Sequence, residues 1–373
     1  KAFARILERE APRPVLVARM LADAFLVLFP YKGKGELVTY CEAYSRALNG
    51  FIVSREQNYQ LELRSGICCV EDSDASDINS LLDRANMALK TIKVKGAAQW
   101  KFYDHTMRDK LLREKDLEIR MEKALADGEF LVYIQPKYWV GTRALAGGEA
   151  LVRWKSPDQG FLSPGEFIPL FEKNRFIVKL DQFMFTSVCG LLRQWLDAGI
   201  EPRPLSVNVS RMQFHTPDFV ERYIRIKSQY AIPDGLLELE FTESIFFDNV
   251  ALLSSAVHEL RRAGIKCSID DFGAGYSSLN VLKALPVSVL KLDGMFFRTA
   301  KDDEQAKIVI RNIMRMAGEL KMATVAEGVE THEQVAFLET TGCDIIQGYV
   351  FARPMPAAEF TELLAGEGGH AER

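Results

Sequence analysis

Cysteine and histidine are scarce in this sequence, six and five respectively among 373 residues. The cysteines (Cys41, Cys68, Cys69, Cys189, Cys267 and Cys343) are thinly spread and lack the paired spacing of a zinc site. They are expected to stay reduced thiols, because a chain of this length can bury a core without disulfide staples. No two histidines stand at metal-ligand spacing, which argues against an imidazole-based centre. No apolar run reaches the length of a membrane span; the stretch Phe25–Phe29 is short and ends at Pro30, as a buried strand would. An excess of one charge is also missing. The 47 basic and 51 acidic residues leave a net charge of −4, without the basic excess that binding DNA or long RNA requires. No signal peptide opens the chain, which begins at Lys1. The expectation is a cytoplasmic fragment of a longer protein, with a sensory domain or membrane anchor upstream.

What is present is ordinary for a soluble globular chain, with 48% hydrophobic and 26% charged residues. Two textures divide it. Residues 1–103 mix short strand-like runs (within Val15–Phe29 and Leu61–Val70) with helical ones (Leu37–Ala47 and Ile78–Val94), a small α/β pattern. The charged stretch 104–127 carries Met107, Leu111, Leu112, Leu117, Ile119, Met121 and Leu125 at helical spacing, which predicts a joining helix. Residues 128–367 then repeat short apolar runs separated by amphipathic helical segments. The runs are Leu131–Gln135, Leu145–Trp154, Leu205–Val209, Leu237–Thr242, Lys266–Asp271, Val289–Asp293, Ala323–Glu327 and Ile345–Phe351. Eight alternating strand–helix units predict parallel pairing and a TIM-like (β/α)8 barrel, so the fold class is α/β.

Polar residues punctuate these apolar runs. Glu149, Asn208, Glu240, Glu243, Asp270, Asp271, Lys291, Asp293, Glu327 and Gln347 fall in or at the end of successive strands, and barrel sites form at the C-terminal ends of strands. Each has a plain structural reading when taken alone. Asp270-Asp271 could cap the next helix, Asn208 could serve a turn, and Lys291 could either pair with a barrel carboxylate or stabilise phosphate charge. Jointly they predict converging carboxylates, which repel unless cations neutralise them. The reading is an acidic, oxygen-ligand metal site. Trp154, Trp195, Phe167 and Phe185 are read as core.

These residues fall in recognisable motifs. Gln135-Pro136, Glu149-Ala150-Leu151-Val152-Arg153-Trp154, Phe167-Ile168-Pro169 and Ser206-Val207-Asn208-Val209-Ser210 resemble the EAL-domain family of cyclic di-GMP phosphodiesterases. So do Glu240-Phe241-Thr242-Glu243-Ser244, Asp270-Asp271-Phe272-Gly273-Ala274-Gly275-Tyr276-Ser277-Ser278, Leu290-Lys291-Leu292-Asp293, Ala326-Glu327-Gly328-Val329-Glu330 and Gln347-Gly348-Tyr349. The resemblance implies hydrolysis of cyclic di-GMP to linear pGpG with Mg2+ or Mn2+ at a two-metal site. It implies that Glu149, Asn208, Glu240 and Asp270 bind one ion, and that Asp270, Asp271 and Glu327 reach the other. Lys291 and Gln347 would act on the attacking water. Glu243 would anchor the loop Phe272–Ser278, while Gln135, Leu151 and Arg153 would contact substrate. A homodimer through the barrel is a further expectation of the family. A cyclic di-GMP receptor that binds without cleaving, or a scaffold, is the alternative. Residues 1–103 resemble an N-terminally incomplete GGDEF domain, through Val17-Ala18-Arg19, Ser65-Gly66-Ile67 and Leu81–Leu89. Leu21-Ala22-Asp23-Ala24-Phe25 stands where the Gly-Gly-Asp-Glu-Phe signature belongs, and Pro12 and Val15 replace its inhibitory Arg-x-x-Asp site. The resemblance therefore implies a domain without cyclase activity.

Overall fold

A computed structural model describes residues 2–9, 13–21, 23–53, 62–70, 77–92, 99–243, 245, 250–273, 286–299 and 303–368. Pro12, Ala22, Ser244 and the loop segment Ala274-Gly275-Tyr276-Ser277-Ser278 lie outside them. The chain forms two compact units, Lys1–Asp116 and Leu117–Arg373.

The first unit contains α1 (Ala2–Arg9), β1 (Leu16–Leu21), β2 (Ala24–Leu28), α2 (Lys34–Val53), β3 (Ser65–Ile67), α3 (Ile78–Lys90) and β4 (Trp100–Phe102). The strands β1 and β2 form an antiparallel hairpin, and β3 pairs in parallel with β4. Of the altered signature, Leu21 ends β1 and pairs with Ala24 at the start of β2. The α3 helix starts where Asp77 Oδ1 accepts from the Asn79 and Ser80 N–H groups, a side-chain cap for otherwise unpaired donors. Ile6, Leu7, Tyr44 and Leu48 form a small core of its own.

The helix α4 (His105–Ala126) occupies the charged stretch. After it come β5 (Phe130–Trp139), β6 (Leu145–Ser156), β7 (Gly160–Leu162), α5 (Pro164–Asn174), α6 (Ile177–Asp197), β8 (Leu205–Asn208) and α7 (Phe219–Gln229). They are followed by β9 (Leu237–Thr242), α8 (Val250–Arg262), β10 (Ile265–Phe272), β11 (Val289–Leu292), α9 (Met295–Thr299) and α10 (Glu304–Glu319). The chain continues through β12 (Ala323–Ala326), α11 (His332–Glu339), β13 (Ile345–Ile346), β14 (Met355–Pro356) and α12 (Ala357–Gly368). The ring β5-β13-β12-β11-β10-β9-β8-β6 closes back on β5, giving the expected eight-stranded α/β barrel.

One expectation is corrected. The barrel is not wholly parallel, because β5 runs antiparallel to both β6 and β13. Only a tight turn separates β5 from β6, with Arg143 N–H donating to Trp139 O. So short a link cannot make the crossover that a parallel neighbour needs. The run Ile345–Phe351 also forms a strand only over Ile345–Ile346.

The main apolar core lies between strands and helices and includes Phe185, Trp195, Leu239, Phe241 and Ile269. A second cluster joins Leu117 and Ala124 of α4 to Trp154, Phe167, Phe171 and Leu180. The four aromatics read as core are fully buried. No helix among the described residues is long and apolar enough to cross a membrane.

Candidate functional site

Strand register builds the site. Side chains alternate between faces, and residues paired across parallel strands share a face. Glu149 pairs with Ser206, Asn208 with Glu240, Glu240 with Ser268, and Thr242 with Asp270. Gln135 pairs with Glu149 across the antiparallel seam. Two adjacent aspartates would ordinarily point to opposite faces. Here the pairing of β10 with β11 slips between Ile269 and Phe272, and Asp271 sits at φ 53°. This bulge turns both carboxylates toward one site, where oxygens of Asp270, Asp271 and Glu327 all lie within 4.8 Å of one another.

Lys291, wholly buried, is the hub. Its Nζ lies 2.6 Å from Glu240, 3.0 Å from Asp270, 2.5 Å from Glu327 and 3.6 Å from Glu149. Asn208 donates to Glu149 Oε1 at 2.7 Å, and Gln347 Nε2 donates to Glu149 Oε2 at 2.6 Å. The same Gln347 amide also reaches Gln135 Oε1 at 3.1 Å, while Gln347 Oε1 is buried without a hydrogen bond. Glu243 stands apart from the hub and accepts from Gly273 N–H at 3.1 Å, at the start of the loop beyond β10. Asp293 accepts from Met295 N–H at 2.7 Å, at the start of α9.

Charge is unbalanced here. Burial and then Glu240 push the Glu149 carboxyl up. Burial raises Asp270, helped by Glu240 and Asp271; burial and Asp293 raise Asp271. Burial with Asp270 and Glu149 drives Glu327 well above the carboxylate range. Glu240 is the exception: burial pushes it up, but Lys137 and Lys291 outweigh burial and hold it at about 2. Burial would lower Lys291, yet Asp270, Glu149, Glu240 and Glu327 raise it well above the usual lysine value. Five carboxylates facing two lysines leave negative charge that divalent cations would offset. The oxygen-only donor set and the crowded Asp270–Asp271–Glu327 trio fit hard cations such as Mg2+ or Mn2+.

A cleft of about 940 Å3 adjoins the hub, lined by Leu151, Arg153, Asn208, Glu243 and Asp271 among others. Arg153 donates to Val152 O and stacks its guanidinium over Tyr133. Gln135 is not on the cleft wall; it reaches Ala352 O at 3.3 Å. Sequence reasoning passed over two residues. Lys137 lies inside the barrel against Glu240, and its signal was its place two positions from Gln135 on one strand face. Asp181, on α6, puts a buried carboxyl in the cleft wall, accepting from Ser210 N–H and Gln213 Nε2. Burial pushes it up to about 7, against both hydrogen bonds. An acid within an apolar helix carries no local sign of that role.

The EAL domain family matches residues 119–354, well over half of the chain, and the diguanylate cyclase GGDEF domain family matches residues 1–99. Among characterised relatives, the bifunctional diguanylate cyclase/cyclic di-GMP phosphodiesterase MucR of Pseudomonas aeruginosa is 30% identical, over 94% of this chain and 51% of its own length. The cyclic di-GMP phosphodiesterase NbdA of the same organism is 31% identical, over 94% and 44%. The chain thus spans about half the length of these relatives. The solved PaMucR phosphodiesterase in complex with c-di-GMP superposes with a TM-score of 0.62 at 35% identity, covering 66% of this chain and 99% of that one. The EAL enzyme Bd1971, bound to cAMP and cyclic di-GMP, superposes at 0.64 with 29% identity, covering 79% and 78%.

Proposed function

This chain belongs to the EAL domain family, and from that premise we propose that it hydrolyses cyclic di-GMP to linear pGpG at the barrel hub with Mg2+ or Mn2+. The observation that carries the reading is the convergence of Glu149, Glu240, Asp270 and Glu327 on Lys291 beside a cleft large enough for a cyclic dinucleotide.

In this reading Glu149, Asn208, Glu240 and Asp270 hold one ion, and Asp270, Asp271 and Glu327 hold the other. Divalent ions there would polarise the phosphate and lower the pKa of a bound water. The chain's own side chains then divide the remaining work. Arg153 meets a phosphate on the cleft wall, and Leu151 lies against the ligand. Lys291 and Gln347 orient the attacking water as hydrogen-bond donors. Gln135, set off the cleft wall, accepts from Gln347 and so steadies it. Glu243 fixes the start of the loop after β10 through Gly273. The water oxygen joins one phosphorus as the P–O3′ bond breaks, and the proton the water gives up is balanced by the one the departing 3′ oxygen takes.

The cyclase-like residues 1–103 serve in regulation, since the altered signature keeps Asp23 but offers neither the paired glycines nor the second acid. Residues 104–127 join them to the hydrolytic barrel, 128–367. The barrel pairs with a second copy of itself, and the exposed Ile308 and Val309 of α10 offer an apolar face for it.

The test is direct. The full chain is incubated with cyclic di-GMP and either metal at neutral and alkaline pH, and pGpG is followed by chromatography. Accumulating pGpG is the expected result. Tight binding without product under every condition would replace hydrolysis with the receptor reading.

A further inference from the structure

Lys137 has no part in the scheme above, yet it is the second cation inside the barrel. It is 6% exposed, and its Nζ donates to Ser206 Oγ at 2.7 Å and to Glu240 Oε1 at 2.9 Å. The other oxygen of the same carboxylate, Oε2, accepts from Lys291 at 2.6 Å. Glu240 is therefore gripped by two lysines from two strands, one oxygen each, which fixes both the plane and the position of its carboxylate. Glu238 shares that inner strand face two residues away, and its Oε1 is buried without a hydrogen bond. Lys137 thus stands close to both acids of β9.

We propose that Lys137 is a positioning residue that sets Glu240 for metal binding, anchored for that purpose by Ser206. The inference rests on the metal site proposed above. A protonated lysine has no lone pair with which to ligate an ion, so its effect must pass through Glu240. Two effects compete. The ammonium repels a nearby cation, which weakens binding; its grip keeps the Glu240 carboxylate aimed, which strengthens it. The grip dominates, because both hydrogen bonds are short and charge-assisted or buried, and because partners that orient a metal ligand are typically worth about 10–100-fold in affinity.

The probe is Mn2+ alone, titrated into the ion-free chain of 373 residues and followed by calorimetry and electron paramagnetic resonance. Lys137→Met is expected to raise the Mn2+ Kd at least about tenfold and to lower kcat more than it changes KM. Ser206→Ala keeps the charge but loosens the anchor, and is expected to raise the Mn2+ Kd in the same direction by a smaller factor. If Lys137→Met binds Mn2+ as tightly as the wild type, or more tightly, the lysine has no positioning role and the inference is overturned. A purely structural lysine would lower the melting temperature while leaving Kd unmoved. Should Lys137→Met fail to fold, Ser206→Ala decides, and an unchanged Kd there overturns the inference. A wild type that takes up no Mn2+ removes the metal site and this inference together, whereas wild-type uptake equalled by Lys137→Met removes only the role of the lysine.

Discussion

At the scale of single residues, the site separates carboxyls tied into the hub from carboxyls set apart from it. Glu149 is the plainest case of the first. It accepts from Asn208 and Gln347 and lies 3.6 Å from Lys291. Glu149→Ala removes a ligand of the first proposed ion and strands both amides. Turnover should fall by at least about 100-fold, since even residues one step further from a metal cost up to that much; near-normal pGpG release by this variant would contradict the assignment. Asp181 is the opposite case. Burial raises its carboxyl to about 7, whereas the unfolded chain titrates near the ordinary value of about 3.9. Because the native pKa is the higher one, the native state binds more protons between those values. Stability therefore falls as pH rises through that window, and the penalty is complete above about 7. Asp181→Asn keeps an oxygen for the Ser210 N–H and carries no charge. The variant should unfold at higher urea than the wild type above pH 7, by up to roughly 4 kcal/mol, with the gap closing below about pH 4. A pH-independent gap would show that Asp181 does not titrate as described.

At the scale of elements, strand ends and strand irregularities make the site. Gln347 is placed by the link out of β13, where Gly348 packs against the backbone of Val329. A Cβ on Gly348 would come within 2.0 Å of Val329 O and 2.5 Å of Val329 N, and backbone cannot swing aside as a side chain can. Gly348→Ala should cost about 1–3 kcal/mol by overpacking and weaken turnover by shifting Gln347, read by denaturant unfolding and the pGpG assay together. An unshifted midpoint would mean that the link relaxes freely. The same scale shows what the sequence could tell. All eight barrel strands were legible because apolar runs of strand length recur between helical segments. The residues of the hub were legible because each interrupts such a run with a polar group. The direction of β5 was not, because alternation has no polarity and only the shortness of the turn to β6 carries it. The bulge that aims Asp270 and Asp271 together was equally silent, since it depends on pairing with β11. Lys137 and Asp181 escaped notice because their importance comes from neighbours distant in sequence: Glu240 for one, and Ser210 and Gln213 for the other.

At the scale of the molecule, two units each carry a buried cluster. Ile6, Leu7, Tyr44 and Leu48 serve the first, and the barrel has its own much larger core. A chain built this way need not unfold in one step, and a ligand raises the melting temperature only of a unit whose native state binds it. The one carboxylate trio among the described residues that could hold an ion is Asp270, Asp271 and Glu327, in the barrel. In the first unit the altered signature retains a lone Asp23 between Ala22 and Ala24, too few donors to compete. Scanning calorimetry of the full chain should therefore show two transitions, with Mn2+ moving only that of the barrel. At about 100 times Kd the added stability is about 2.7 kcal/mol, which shifts a unit of this size by about 5–10 °C. Glu149→Ala should reduce that shift while leaving the other transition where it was. If Mn2+ instead moves the transition of the first unit, the ion binds within Lys1–Asp116 and the regulatory reading of the cyclase-like region must be reconsidered. If it moves neither, the carboxylate hub satisfies its charge without metal, and the hydrolytic reading loses its chemical basis.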